Sequence, residues 1–236
     1  MKLCPICSNT YPDGHRTCPT HGTLLVDSEE LPAGSMIRDC YRIERVIGKG
    51  GMGTVYLAEH VLLGEARALK FLSTALAANP QFLQRFLQEA RAASKLRHPN
   101  IAATLELGQA EGGSLYICME FVDGPSLRSL LKASPQGLAP ERAFAIARGV
   151  VEGLGEAHAK GMVHRDVKPE NILLGSSVDH AGNRIEIPKV VDFGIVALSD
   201  SSSHLTQTGQ QLLTAEYAAP EQWRGASASS LDGRTD

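Results

Sequence analysis

The run His164-Arg165-Asp166-Val167-Lys168-Pro169-Glu170-Asn171 constrains this 236-residue chain more than any other stretch. It places two carboxylates, two cations and a carboxamide between apolar flanks, Met162-Val163 before it and Ile172-Leu173-Leu174 after it. Burying unpaired charge is expensive, so such a run makes a poor core segment. It suits a loop that delivers a helix into a strand and handles a phosphate and a metal ion. Asp166 can accept a hydroxyl proton, and Lys168 can neutralise charge on a phosphoryl group in transfer. Asn171 offers a carbonyl oxygen of the kind that magnesium takes.

A second stretch narrows the fold. Alternation from Tyr41 leads through Val46-Ile47 into Gly48-Lys49-Gly50-Gly51-Met52-Gly53, then Thr54-Val55-Tyr56-Leu57. A dinucleotide-binding fold would open a helix at the last glycine. The β-branched and aromatic residues that follow predict a strand instead. Strand, glycine turn, strand lets backbone amides approach phosphate oxygens without side-chain obstruction. Beyond it, Asn79 predicts an N-cap and Pro80 a first helical residue, with the helix running to Arg97 before His98-Pro99. Its apolar stripe is Phe82, Phe86, Ala93 and Leu96, and Glu89 falls within it, a carboxylate on a buried face that needs a partner.

HRD, a Lys two residues on and an Asn five residues after the Asp together resemble the catalytic loop of the protein kinase superfamily. The other parts of that family's machinery follow in order. Arg67-Ala68-Leu69-Lys70 stands where the family carries VAIK, with Arg67 in place of the usual first Val. Asp192-Phe193-Gly194 matches DFG, twenty-one residues after Asn171, and Ala219-Pro220-Glu221 matches APE. The resemblance implies that Ile47 to Val55 cover the nucleotide and that Val55 and Ala68 sandwich its adenine over Leu173. It implies that Lys70 holds the phosphates in an ion pair with Glu89, and that Asn171 and Asp192 bind Mg2+ or Mn2+. Met119 becomes the gatekeeper, backbone groups of Glu120 and Val122 meet the adenine edge, and His164 packs rather than acting as a base. Lys168-Pro169-Glu170 and Thr214 point to Ser/Thr rather than Tyr substrates, although Leu213 stands where Gly is usual. Arg165 beside Asp166 marks the class activated by phosphate on the loop, here on Thr206 or Thr208.

Near the N-terminus, Cys4-Pro5-Ile6-Cys7 and Cys18-Pro19-Thr20-His21 form two knuckles that predict a closed Cys3His zinc site. Metal binding would supply the folding free energy of so short a segment. It resembles the small zinc ribbons of some bacterial proteins; His15 competes with His21 as the fourth ligand, and a disordered leader with free thiols is the bland alternative. The cysteine spacing suits a reducing cytoplasm better than a disulfide framework. A net charge of -3 gives no reason to expect nucleic acid, and no apolar run approaches the roughly 20 residues of a membrane span.

The expectation is therefore an α+β, two-lobed protein-kinase-like fold: an antiparallel N-lobe sheet with one key helix, and a mostly helical, incomplete C-lobe. Residues 1–26 form the zinc ribbon, 27–40 a linker, 41–122 the N-lobe and hinge, and 123–236 the C-lobe. Strands are expected at Ile101 to Leu107 and Ser114 to Cys118, and a long hairpin around Gly175 to Arg184. Helices are expected at Ser126 to Lys132 and Pro140 to Lys160, the latter with Phe144, Ala147, Val151, Leu154 and His158 on one face. Asp236 matches the family's Asp that braces the HRD backbone, and the family's large central helix should follow it, so the chain reads as a fragment exposing apolar surface on the Pro140 to Lys160 helix. The function implied is ATP-dependent phosphorylation of protein Ser or Thr in the cytoplasm, with membrane attachment through a further C-terminal region left open. Protein substrates, and a second copy for phosphorylation in trans, are the partners. A catalytically inactive nucleotide-binding or scaffold module is the alternative.

Overall fold

The computed structural model describes residues 2–3, 10–12, 14–22, 24, 26–27, 31–50, 52–110, 113–178, 181–193, 216–224 and 230–236. Near the N-terminus three two-residue strands, β1 (Lys2–Leu3), β2 (Thr10–Tyr11) and β3 (Val26–Asp27), make a small antiparallel sheet in the order β2-β1-β3. The main sheet begins inside the stretch expected to be a linker. There β4 (Met36–Ile37) pairs with β5 (Tyr41–Gly50) across a turn in which Arg38 and Asp39 both have positive φ and the Cys40 N–H closes on the Ile37 carbonyl. The Leu31 N–H donates to the Tyr56 hydroxyl at 3.0 Å, so the chain is seated on the sheet before β4 starts.

The sheet continues through β6 (Gly53–His60) and β7 (Glu65–Leu72), and after two helices through β8 (Thr104–Gln109) and β9 (Leu115–Glu120). Its order is β4-β5-β6-β7-β9-β8, and every pairing is antiparallel. Alternation dictates the first strand: Tyr41 and Ile43 are buried, Arg42 and Glu44 exposed. The interior of β7 is buried from Ala68 to Leu72 because its strand neighbours and both layers cover it. One face carries Tyr41, Tyr56, Phe71 and Tyr116 in edge-on and tilted contacts 5.4–6.2 Å between rings. Against the other face packs a cluster of Leu72, Phe82, Phe86, Ala90 and Ile117.

That second cluster belongs to α2 (Pro80–Ala93), which follows the single turn α1 (Thr74–Ala77). The Asn79 side chain accepts from the Gln81 and Phe82 amides and Pro80 occupies the first helical position, as the sequence predicts. The helix stops at Ala93, and Leu96, expected on its stripe, is buried in the turn that follows.

The second lobe holds α3 (Leu127–Ala133), capped by Ser126, then α4 (Pro140–Ala159) and the hairpin of β10 (Ile172–Val178) with β11 (Arg184–Val190). Its core unites Ile146, Val150, Leu154 and Ala157 of α4 with Ile172, Leu174, Val190 and Phe193. The buried face of α4 is rotated from the apolar stripe read in the sequence. Phe144 and Val151 are about two-thirds exposed, while Gly149 and Gly153 turn inward. Asn100 causes the difference. It donates to the Pro188 carbonyl at 2.8 Å, and a Cβ at Gly149 or Gly153 would come within 2.7 or 3.0 Å of Asn100 atoms. The chain closes with α5 (Pro220–Trp223) and a 3-10 turn at Gly233–Thr235. Among the described residues no helix is long and apolar enough to cross a membrane.

Candidate active site

Within each lobe and, at Ala102, across to the second lobe, backbone hydrogen bonds fix the placement of the segments that carry polar side chains. The Glu120 N–H donates to Ala103, Ala102 to Val190, and Leu174 to Pro125. The Val122 N–H beyond β9 has no backbone partner among the described residues, which leaves it available at the hinge. Gly124 can sit there because it carries no Cβ: one would lie 1.9 Å from the Leu174 carbonyl oxygen. Lys189 reaches back from β11 to Glu120, with Nζ 2.9 Å from Oε1, a contact between lobes that the sequence alone does not announce.

Residues 47–50 and 52–55 line the turn between β5 and β6, closed by the pairing of Gly50 with Gly53, with Gly51 outside the described residues. Gly53 is conformationally required. Its φ is +143°, and a Cβ there would overlap the Phe71 carbonyl oxygen at 1.8 Å. Pairing of β6 with β7 sets Val55 opposite Lys70, and pairing of β7 with β9 sets Ala68 opposite Met119.

Lys70 is largely buried and its Nζ lies 2.9 Å from Asp192 Oδ1. Burial pushes the Asp192 carboxyl upward, but the Lys70 ammonium, with Lys168 further off, outweighs it and holds the group below the usual carboxylate range. Asp192 has φ +63° and Arg165 φ +69°, so the non-glycine residues in left-handed backbone among the described part of the second lobe flank one site. Strain of this kind costs on the order of 1–3 kcal/mol and persists only where the surroundings enforce it.

The enforcement at Arg165 is visible. Asp236, whose side chain is fully buried, accepts from the His164 and Arg165 amides at 2.6 Å each and contacts His158 Nε2 at 2.7 Å. His164 is also fully buried. Its Nε2–H donates to the Val191 carbonyl at 2.8 Å, its Nδ1 accepts the Asp166 N–H, and its ring meets Phe193 edge-on at 4.8 Å. Those contacts give His164 a packing role, as expected. The next residue but one, Asp166, projects its carboxylate toward Lys168 Nζ at 2.7 Å and Asn171 Nδ2 at 2.9 Å. Asn171 Nδ2 also donates to the Asp166 carbonyl at 2.8 Å, which turns the Asn171 amide oxygen the other way. With Asp192 it makes a pair of hard oxygen donors, a fit for magnesium or manganese.

Glu89 departs from expectation. Its predicted partner Lys70 is engaged by Asp192, and Glu89 Oε1 lies instead 3.5 Å from Arg165 Nη1. Glu89 Oε2 is buried without a hydrogen-bond partner among the described residues. Burial raises the Glu89 carboxyl to about 7, against the pull of Arg165 and Arg85. The Lys70 ammonium is held by Asp192 in a direct charge-assisted contact, and the charges that act on Glu89 are those of Arg165 and Arg85.

Gln222, His158, Lys189 and Arg128 enter the site without a sequence signal. Arg128 on α3 contacts Glu170 at 3.1 Å and the Tyr217 hydroxyl at 3.1 Å. Their roles depend on contacts 42 to 89 residues away in sequence, which no local pattern encodes. Thr206, Thr208, Thr214 and Gly194 lie outside the described residues.

A protein kinase domain model matches residues 41–232. The chain belongs to the protein kinase family. It is 41% identical over 213 residues to the serine/threonine-protein kinase pkn3 of Myxococcus xanthus, covering 89% of this chain and 37% of that protein. It is 44% identical over 210 residues to PknJ of Mycobacterium tuberculosis, covering 89% and 33%, and 42% identical over 196 residues to PrkC of Bacillus subtilis, covering 83% and 28%. This kinase chain thus spans about a third of the length of the curated relatives it matches. A crystal structure of the M. tuberculosis PknI kinase domain superposes with a TM-score of 0.65 at 33% identity, covering 88% of this chain and 71% of that one. The two-lobed kinase fold expected from the sequence is the fold found.

At the other end of this kinase chain, Cys18 is 1% exposed and its Sγ lies 3.6 Å from His21 Nδ1 and 3.3 Å from the Tyr11 hydroxyl. His15 instead lies beside the Tyr11 ring, 6.0 Å between centroids. Cys4 and Cys7 lie outside the described residues, and among the described residues no three metal-ligating side chains cluster.

Proposed function

We propose that this chain is the catalytic part of a serine/threonine protein kinase, moving the γ-phosphoryl group of ATP to protein hydroxyls. The observation that carries this reading is the 2.9 Å contact of Lys70 with Asp192, which joins the nucleotide-side lysine of one lobe to the metal-side acid of the other. Asp166 orients the substrate hydroxyl and accepts its proton, with Lys168 2.7 Å away to steady the carboxylate and then the phosphoryl oxygens. Lys70 and the glycine turn position the triphosphate, and Val55, Ala68, Leu173 and the hinge backbone at Glu120 and Val122 enclose the adenine. Asn171 and Asp192 would hold Mg2+ or Mn2+, which supplies charge neutralisation to the phosphates when bound. Catalysis is then mostly positioning and electrostatic stabilisation. The names of the bacterial relatives, Lys168-Pro169-Glu170 and Thr214 support Ser and Thr as acceptors.

Regulation follows from Arg165. A phosphate on Thr206 or Thr208, placed by a second copy in trans, competes with Glu89 for that guanidinium and frees Glu89 toward Lys70. The observed Glu89–Arg165 contact also favours a second reading, a nucleotide-binding module that transfers nothing. Asp166→Asn separates the two. Under the kinase reading, turnover falls by at least about a thousandfold while ATP affinity stays within about threefold. A wild-type chain that binds ATP and transfers no phosphate supports the module.

Cys4, Cys7, Cys18 and His21 are proposed as a structural zinc site. Two ligands of a tetrahedral zinc lie roughly 3.5 Å apart, given Zn–S near 2.3 Å and Zn–N near 2.0 Å. The 3.6 Å separation of Cys18 and His21 fits that geometry, and it favours His21 over His15. One zinc per chain by elemental analysis, lost in Cys18→Ser, is the expected result. The thiols and the need for ATP support a cytoplasmic location under this reading.

A further inference from the structure

Gln222, on the four-residue helix α5, is the strongest feature outside the family's recognised machinery. Its amide has two partners of opposite kind. Oε1 accepts the Ala219 N–H at 2.9 Å, and Nε2 donates to the Arg165 carbonyl at 2.8 Å. An amide N–H can only donate and a carbonyl can only accept, so the two neighbours fix which way the Gln222 side chain points. Its reach is unusual for where it ends. Arg165 is the left-handed residue directly before Asp166, and its N–H is held by Asp236 at 2.6 Å. The Arg165 residue is therefore gripped at both ends of its backbone, by a carboxylate on its N–H and by a carboxamide on its carbonyl. The carbonyl belongs to the peptide plane that joins Arg165 to Asp166. Fixing that plane fixes ψ of Arg165 and φ of Asp166, and with them the direction of the Asp166 carboxylate.

We propose that Gln222 is a positioning residue: its carboxamide holds the strained Arg165–Asp166 peptide, so that the end of the activation segment sets the aim of Asp166. The proposal deepens the kinase reading above and rests on it for its catalytic meaning. It assigns the Gln222 amide nitrogen a task separate from the amide oxygen, which caps α5.

Two variants tell these tasks apart. Gln222→Glu keeps an oxygen for the Ala219 N–H, so the cap survives, but it sets a carboxylate oxygen against the Arg165 carbonyl. Gln222→Met keeps the shape and removes both bonds. Hydrogen exchange followed by mass spectrometry on the chain reads the outcome without any need for activity. Relative to wild type at pH 8, peptides spanning residues 163–171 should exchange about tenfold faster in both variants. In Gln222→Glu the peptide spanning α5 should keep wild-type exchange. The same variant carries a pH signature. At pH 5 the carboxyl group introduced by Gln222→Glu, once protonated, can donate to the Arg165 carbonyl, so the excess exchange of the loop should shrink, whereas that of Gln222→Met should not. In phosphoryl transfer, kcat should fall roughly tenfold in Gln222→Glu with KM for ATP within about twofold, because the nucleotide contacts are untouched. Wild-type loop protection in Gln222→Glu at pH 8 overturns the proposal and leaves Gln222 as a helix cap. Loss of loop protection in a chain whose wild type transfers no phosphate upholds the positioning contact and defeats the kinase reading instead.

Discussion

Glu89 sits where burial and charge disagree. Its carboxyl is raised from an ordinary glutamate value to about 7 by burial, with Arg165 recovering only part of the cost. For an acid whose folded pKa exceeds its unfolded one, the protonated form is the one the fold prefers. The resulting stability is present in full below about pH 4.5 and is lost as pH rises through about 7. Glu89→Gln keeps the neutral form at all pH values. Urea denaturation at pH 5 and pH 8 should show the variant gaining about 1–2 kcal/mol on wild type over that interval, after allowance for partial exposure. A difference independent of pH would mean that Glu89 is fully compensated by Arg165. The sequence located Glu89 on a buried helix face and demanded a partner for it, with Lys70 as the expected partner and Arg85 as the local alternative, whereas the structure supplies Arg165. That choice depends on where Asp192 lands, which is decided by a left-handed backbone residue rather than by any periodicity.

Elements with local end signals were legible. Asn79 and Pro80 open α2 as read, and replacing Asn79 by Ala should cost about 1 kcal/mol in urea denaturation at neutral pH. The β-branched run after Gly53 became β6, and the turn between β5 and β6 is the one the glycines require. Less legible was which face of α4 goes inward. Counting apolar residues selected Phe144 and Val151, whereas the packed face is cut by Gly149 and Gly153 to receive Asn100. A glycine notch for a polar side chain is invisible to a hydrophobicity pattern. Gly124 shows the same limit at the hinge. Its alanine variant should lose about 1–3 kcal/mol of stability, because the new Cβ would force the hinge off the Leu174 carbonyl. Unchanged stability would show that the hinge can shift freely, contrary to its bonding.

Across the whole molecule, the two lobes are joined by the hinge, by strand-like bonds at Ala102 and Val190, and by the Lys189–Glu120 ion pair. The order of motifs was enough to place the lobes and the cleft, because each motif occupies one end of one element. The seating of residues 31–40 on the sheet was not, since Pro32, Gly34 and Ser35 have the composition of a linker while the backbone of Gly34 and Ser35 bonds to Ile43. The molecule also presents Phe144, Ala147 and Val151 along one exposed face of α4. Sedimentation velocity should show concentration-dependent association that weakens in the Phe144→Ser, Val151→Ser double variant, with no loss of stability. The proposal that Lys70, Asp166, Asn171 and Asp192 form one phosphate-handling site rests on the Lys70–Asp192 contact and on the contacts of Asp166 with Lys168 and Asn171. The direct measurement is transfer of label from γ-phosphate-labelled ATP with magnesium, followed by identification of the phosphorylated amino acids. Phosphoserine or phosphothreonine made by the wild type and absent with Asp166→Asn is the predicted result. Equal labelling by both proteins, or label on tyrosine alone, would contradict it.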